Sequence, residues 1–231
     1  MVEKTLIPAK TYLETGSHIG AKFKTKGMAK FIFKKRSDKL KVMDVSTIDA
    51  RIKMAADFLS KFEAEEIIAV SQKEYGWKAV NSFAKVIGAK ANTGRFIPGT
   101  FTNPLTRYFV EPKAIIVTDP KVDHQAIQEA AVIGISTIGF CSTDNETRNL
   151  DLIVPINNKG RQSIALAYWL LAREILKNKG KIANYEEFTA KLEDFEVSLE
   201  AAKSVKEHKK TSSRFEKNKF DRKNRRRTPY N

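Results

Sequence analysis

Four short runs with scarcely a polar residue constrain this chain most: Ile67–Val70, Ala114–Val117, Thr137–Cys141 and Leu152–Pro155. Longer stretches with helical periodicity lie among them, at about Gly76–Ile87, Asp123–Ile133 and Arg161–Asn178. Short, nearly all-apolar strands between helices indicate a parallel sheet that is covered on both faces. Ahead of the first run, Ile48, Ile52, Ala55, Leu59 and Phe62 form the buried stripe of a further helix. Ser46 or Thr47 is its expected cap, with Asp49 supporting the first turn. A last stripe, Phe188, Leu192, Phe195 and Leu199, predicts an amphipathic docking helix from about Tyr185 to Ala202.

The amino-terminal part has a different texture. A short helix over about Ala9–Thr15 should stop at Gly16, and Phe31–Lys35 with Leu40–Met43 reads as a hairpin turning at Ser37–Asp38. Phe31, Phe33, Leu40 and Val42 alternate there with Lys30, Lys34, Lys39 and Lys41. One face can pack on the body while the other presents ammonium groups. The expected organisation is a helix and basic hairpin at 1–45, an α/β body at 46–180, the docking helix at 181–202 and a basic tail at 203–231. The tail holds only Phe215, Phe220 and Tyr230 as large apolar groups after His208, too few to offset the entropy of ordering, so it is expected to be disordered when free.

Charge is segregated. The 231 residues carry 42 Lys and Arg against 27 Asp and Glu, a net +15. Ala21–Lys41 has nine basic residues and one acidic, and Lys203–Asn231 has twelve and three, whereas Val42–Ala202 has 19 and 21. A solvated face normally mixes signs, so two basic blocks on a near-neutral body point to a polyanion, either nucleic acid or an acidic membrane surface. No apolar run approaches 18 residues and the amino terminus is not signal-like, so neither a membrane span nor export is expected. Cys141 is the only cysteine, which excludes an intrachain disulfide and suits a cytoplasmic chain.

Catalytic and metal constellations are sparse. The histidines are His18, His124 and His208, without HxxxH or CxxC spacing, and no metal or cofactor is expected. Cys141 reads as a core residue, Asp123 as a helix cap and Asp119 as part of a strand-ending turn. An open parallel sheet binds ligands beyond the carboxyl ends of its strands, where Ser71–Tyr75, Thr118–Pro120, Ser142–Thr147 and Asn157–Gly160 would lie. Of these, Asn157, Asn158, Lys159 and Gly160 open a helix and could cradle a phosphate with Ser163, which is the alternative reading of the chain. Neither GxGxxG nor GxxxxGK[ST] occurs. The stronger candidates for binding are cations: Lys22, Lys24, Lys26 and Lys30, then Lys34, Lys35, Arg36, Lys39 and Lys41 on the hairpin. In the tail they are Arg214, Lys217, Lys219, Arg222, Lys223, Arg225, Arg226 and Arg227, with Phe215, Phe220 and Tyr230 available to stack on unpaired bases. A third reading has the tail binding acidic proteins.

One loop is too apolar for a plain connector. Arg95–Pro104, RFIPGTFTNP, reads as a shaped, packed contact surface with Phe96 and Phe101 inward and Arg95, its single cation, as a further RNA-binding candidate. Together with Glu111–Pro112, AIIVTDP at 114–120, PINNKG at 155–160, TYLETGSHIGA at 11–21 and YWLLARE at 168–174, it resembles the second protein of the small ribosomal subunit, in its archaeal and eukaryotic form. The resemblance runs in order from about Thr11 to Glu174. It implies a flavodoxin-like three-layer α/β/α sandwich and a non-enzymatic structural role in the small subunit. It further implies ribosomal RNA and neighbouring small-subunit proteins near the head–body junction as partners, with no membrane and no small-molecule substrate. The chain lacks the length for the long helical hairpin of the bacterial branch, and its basic tail differs from the acidic eukaryotic one, which favours an archaeal-like member. SQKEY at 71–75 departs from the more Arg-rich pattern of the family, which puts an RNA contact at Lys73 in doubt.

Overall fold

The computed structural model describes residues 5–197. In chain order the elements are α1 (Ala9–Glu14), the strands β1 (Ile32–Lys35) and β2 (Lys41–Met43), α2 (Val45–Leu59), β3 (Ile67–Ser71), α3 (Glu74–Ile87) and β4 (Lys90–Thr93). There follow β5 (Ala114–Val117), α4 (His124–Ile133), β6 (Ser136–Cys141), β7 (Leu152–Pro155), α5 (Arg161–Asn178) and α6 (Leu192–Phe195). β1 and β2 form an antiparallel pair, and the other five strands form a parallel sheet in the order β4-β3-β5-β6-β7. Numbered from its own first strand, that order is 2-1-3-4-5, the flavodoxin-like arrangement.

The two faces of the sheet are covered differently. On one, α2, α3 and α5 bury Ile67, Ala69, Ala114, Ile116, Ile138, Phe140 and Val154. Tyr168 of α5 stands at the centre, edge-to-face with Phe83 and Phe140 at centroid distances of 5.3 and 5.0 Å. On the other face, α4 contributes Ala126, Ile127 and Ala130 against Ile68, Val70, Ile115 and Val117. The connection from β4 to β5 has no helix. Its Phe96 and Phe101 fill the space instead, edge-to-face at 5.0 Å, and both are buried as expected. The buried carboxylate of Glu129 on α4 fixes their loop by accepting the N–H groups of Gly99 (2.8 Å) and Phe101 (3.1 Å).

Several local expectations are corrected. The cap of α2 is Asp44, whose carboxylate accepts the Thr47 N–H at 3.2 Å and its hydroxyl at 2.8 Å, so Thr47 donates to the cap instead of being it. Asp49 is buried and ties α1 to α2, accepting from Leu6 N–H (2.9 Å) and the Tyr12 hydroxyl (2.8 Å). Phe33 does not join the packed face of the hairpin. Phe31 belongs to a 3-10 turn, and the strand register shifts between Ile32 and Lys34, so Phe31 is buried while Phe33 is 75% exposed. The continuous helix expected from Tyr185 is, within the described residues, a 3-10 turn at Tyr185–Glu187 followed by α6. The carbonyls of Ala190, Glu193 and Asp194 accept from Trp169 Nε1 (2.8 Å), Lys78 Nζ (3.1 Å) and Ser82 Oγ (2.7 Å), that of Glu193 also from the Glu196 N–H (3.2 Å). The segment still docks, with Phe195 buried against α3 and α5. Leu199 and the rest of the expected helix lie outside the described residues.

Candidate nucleic-acid interface

The first basic block is seated on the body by backbone bonds. After α1 the chain crosses to the loop that follows β7, where Asn157 donates its N–H to Ser17 O and its Nδ2 to Gly16 O, both at 3.0 Å. Residues 18–21 then run beside β2: Met43 N–H donates to His18 O (2.8 Å), Gly20 N–H to Lys41 O (2.8 Å) and Lys41 N–H to Ala21 O (3.2 Å). Next the segment lies on the loop after β6. Ala21 N–H donates to Thr143 Oγ1 (2.8 Å), the Thr143 hydroxyl reaches Phe23 O (3.0 Å), and Thr25 donates its N–H to Thr143 O (2.9 Å) and its hydroxyl to Asn145 O (2.7 Å). Two glycines permit this approach. A Cβ on Gly20 would stand 2.5 Å from Thr143 Cγ2, and one on Gly27 would collide with Thr147 Oγ1.

The supporting loop is itself held from below. Asn145 Oδ1 accepts from Ser142 N–H (2.8 Å) and Asn158 Nδ2 (3.0 Å), while Asn145 Nδ2 donates to Asp119 (2.8 Å), which also pairs with Lys73. Asp123 occupies the cap position of α4, but its carboxylate accepts the N–H groups of Gln72 (2.7 Å) and Asp119 (3.0 Å) in place of the helix's own amides. Burial pushes its pKa up to about 7, against the pull of those two hydrogen bonds and of Lys73. Cys141 is buried in the cluster of Met28 and Phe31, and burial pushes its thiol up, away from any thiolate chemistry.

This network corrects the phosphate-cradle reading. Gly160 is the cap position of α5. The Asn157 amide is committed to Gly16 and to Lys159 N–H, and Asn158 Nδ2 to Phe140 O and Asn145. Lys159 meets Asp144 at 2.5 Å. Burial raises the Asp144 pKa, but the hydrogen bond and charge of Lys159, with a backbone hydrogen bond and the charge of Lys121, together outweigh it and keep the carboxyl below its ordinary range, so a carboxylate already holds the place of an anion. The groove remaining at this end of the sheet, about 520 Å³, sets Lys121, His124 and Arg148 beside Asp144 and Glu146, a mixture poorly suited to phosphate.

The cations stand outside the network. Lys22, Lys24, Lys26, Lys30, Lys34, Lys35, Arg36 and Lys39 are exposed, and Lys41 is half-buried. Arg36 lies 3.4 Å from Asp38, a pair open to solvent. Phe23, 80% exposed, projects between Lys22 and Lys24, and Phe33 lies beside Lys34. Arg51, not anticipated from sequence, stacks over the Phe31 ring at 5.3 Å and adds a cation at the foot of the hairpin. Phe31 packs with Cys141 and Ile153, placing the hairpin by β6 and β7, whereas Arg95 is exposed beside β4 at the opposite end of the strand order. Arg95 is therefore not part of the hairpin surface. The eight tail candidates from Arg214 to Arg227 lie outside the described residues. Gly20 and Gly27 bracket the lysines, which was the available sequence signal for the seat.

The family profile described as Ribosomal protein S2 matches residues 12–108 and 105–178. The chain belongs to that family. It is 47% identical over 199 residues to the small ribosomal subunit protein uS2 of Thermoplasma acidophilum, covering 86% of this chain and 100% of the relative. It is 46% identical to that of Picrophilus torridus with the same coverage, and 49% identical over 201 residues to that of Ignicoccus hospitalis, covering 86% of this chain and 95% of the relative. These relatives are archaeal, in line with the type expected from the basic tail. The S2 family match takes in the whole parallel sheet and the seat of the first basic segment.

Proposed function

We infer that this chain is a structural, non-catalytic constituent of the small ribosomal subunit, with ribosomal RNA and neighbouring ribosomal proteins as its partners. The observation that carries this is near end-to-end similarity to relatives named small ribosomal subunit protein uS2. The seated lysines support an RNA-facing role: their backbone is fixed by Thr143 and Asn145 while their ammonium groups remain exposed. Fixed cations contact phosphates by position and shape, without base readout. Phe23 and Phe33 stand out among them as platforms for unpaired bases. The tail cations add charge of the same sign, and a tail of about 25 residues could reach roughly 80 Å if extended. The protein acts in the cytoplasm, within the subunit; no helix among the described residues is long and apolar enough to cross a membrane.

Sedimentation of the tagged chain in a gradient of cell lysate tests this reading. Stoichiometric migration with the small subunit is expected, with partial release by a high-salt wash. Migration in the light soluble fractions alone would overturn it.

A further inference from the structure

We propose that the open edge of β4 receives an extended, acidic segment of a neighbouring protein as an added strand. Three independent features of this edge converge. First, among the described residues β4 pairs with β3 alone. Gly94 N–H donates to Ser71 O at 3.0 Å, continuing the ladder in which Ser71 faces Thr93. Backbone groups alternate sides along a strand, so the N–H and C=O of Ala91 and Thr93 point away from the sheet, toward any added strand.

Second, the missing β4–β5 helix leaves room. A groove of about 530 Å³ runs along β4 under the loop that begins at Arg95, with Ile68 in its floor and Ile97 and Tyr108 in its wall. Lys90 and Asn92 face Ile68 and Val70 in the register, which puts their side chains on the groove side. A strand laid along the edge would thus bury alternate side chains in a partly apolar slot, the usual source of specificity when a peptide extends a sheet.

Third, the charges around the groove have one sign. Its lining includes Lys90 and Arg95 and no carboxylate. A lysine on an edge strand discourages indiscriminate pairing. Self-pairing of two copies would add like charges, and the chain's own tail, net +9, has the wrong sign as well. An acidic segment is matched on both counts. RNA fits less well, because two cations beside an apolar floor contrast with the nine basic residues of Ala21–Lys41.

The test uses the full chain, isotopically labelled and free in solution, so it is independent of the ribosomal assignment. It is titrated with a short peptide alternating Glu and Val, with the same peptide carrying Lys for Glu, and with a short RNA duplex. Binding of the acidic peptide alone is expected, with the Ala91 and Thr93 amides shifted and slowed in exchange. Lys90→Glu with Arg95→Glu should weaken it about tenfold or more and admit the Lys peptide. Ala91→Pro should abolish binding while keeping the β3 ladder, since the lost N–H faces outward. The charge-reversed variant, altered only at exposed positions, serves if the proline variant fails to fold. Acidic peptide that leaves these amides unmoved, undiminished binding to folded Ala91→Pro, or movement of the same amides by RNA instead would each overturn the proposal.

Discussion

Gly20 and Thr143 approach so closely that a single added carbon on the glycine would stand 2.5 Å from Thr143 Cγ2 and 2.8 Å from its Oγ1. The same carbon would stand 3.1 Å from the backbone carbonyl oxygen of Lys41, so the crowding involves fixed backbone as well as a side chain. Gly20→Ala should lower stability by about 1–3 kcal/mol, the usual cost of overpacking, and displace the basic segment from its seat. Chemical denaturation measures the first effect. Exchange at the Ala21 and Thr25 amides, which rises if the seat opens, measures the second.

The exposed lysines should behave oppositely. Replacing Lys22, Lys24 and Lys26 with Gln removes charge and no packing, so the melting temperature should stay within the scatter of surface substitutions. Affinity for small-subunit RNA should fall, and the slope of log affinity against log salt should shrink by about one for each phosphate no longer neutralised. An unchanged slope would remove these residues from the interface.

Glu129 offers a test on the second face of the sheet. Its two oxygens serve Gly99 and Phe101 separately, and an amide would turn an N–H toward one of those donors. Glu129→Gln should cost about 1–3 kcal/mol in denaturant melts, the penalty of an unmet buried donor. The loss should be accompanied by faster exchange of the Gly99 and Phe101 amides.

Asp123 sets a pH dependence. Its folded pKa of about 7 lies above the unfolded value of 3.8, so the folded state holds the proton more tightly. Its contribution to stability is therefore fully present below about pH 4 and is lost as pH rises through 7. The difference in unfolding free energy between the native chain and Asp123→Asn should shift against the native chain by a few kcal/mol, roughly, across that window. A flat difference would mean that Asp123 is already ionised in the folded protein.

What could be read beforehand follows from how each element is solvated. β3, β5, β6 and β7 lie under cover on both faces, which leaves apolar runs that announce themselves. β4, with the sequence Lys90-Ala91-Asn92-Thr93, is an edge strand whose outer side meets solvent, so nothing apolar marks it. Phe96 and Phe101 were legible because a surface loop has no other use for two phenylalanines. Phe33 was misplaced because alternation presumes an unbroken register. At the candidate interface the lysines could be seen in the sequence, but of their seat only the two bracketing glycines, Gly20 and Gly27, gave a sign. Thr143 and Asn145 carry no signature of their own, and their bonds to Ala21 and Thr25 join positions 118 to 122 residues apart.

That separation also orders events in time. During synthesis the lysines of Ala21–Lys41 leave the ribosome long before Thr143, Asn145 and Asn157 have been added. A nascent chain ending after β5 carries all the charge of the first block and its pairing partner β2, but lacks the loops after β6 and β7 that complete the seat. The block takes its defined geometry only once β6, β7 and the loops behind them are in place. A truncated chain could still attract RNA through charge alone, but it could not offer the arrangement that the completed domain presents.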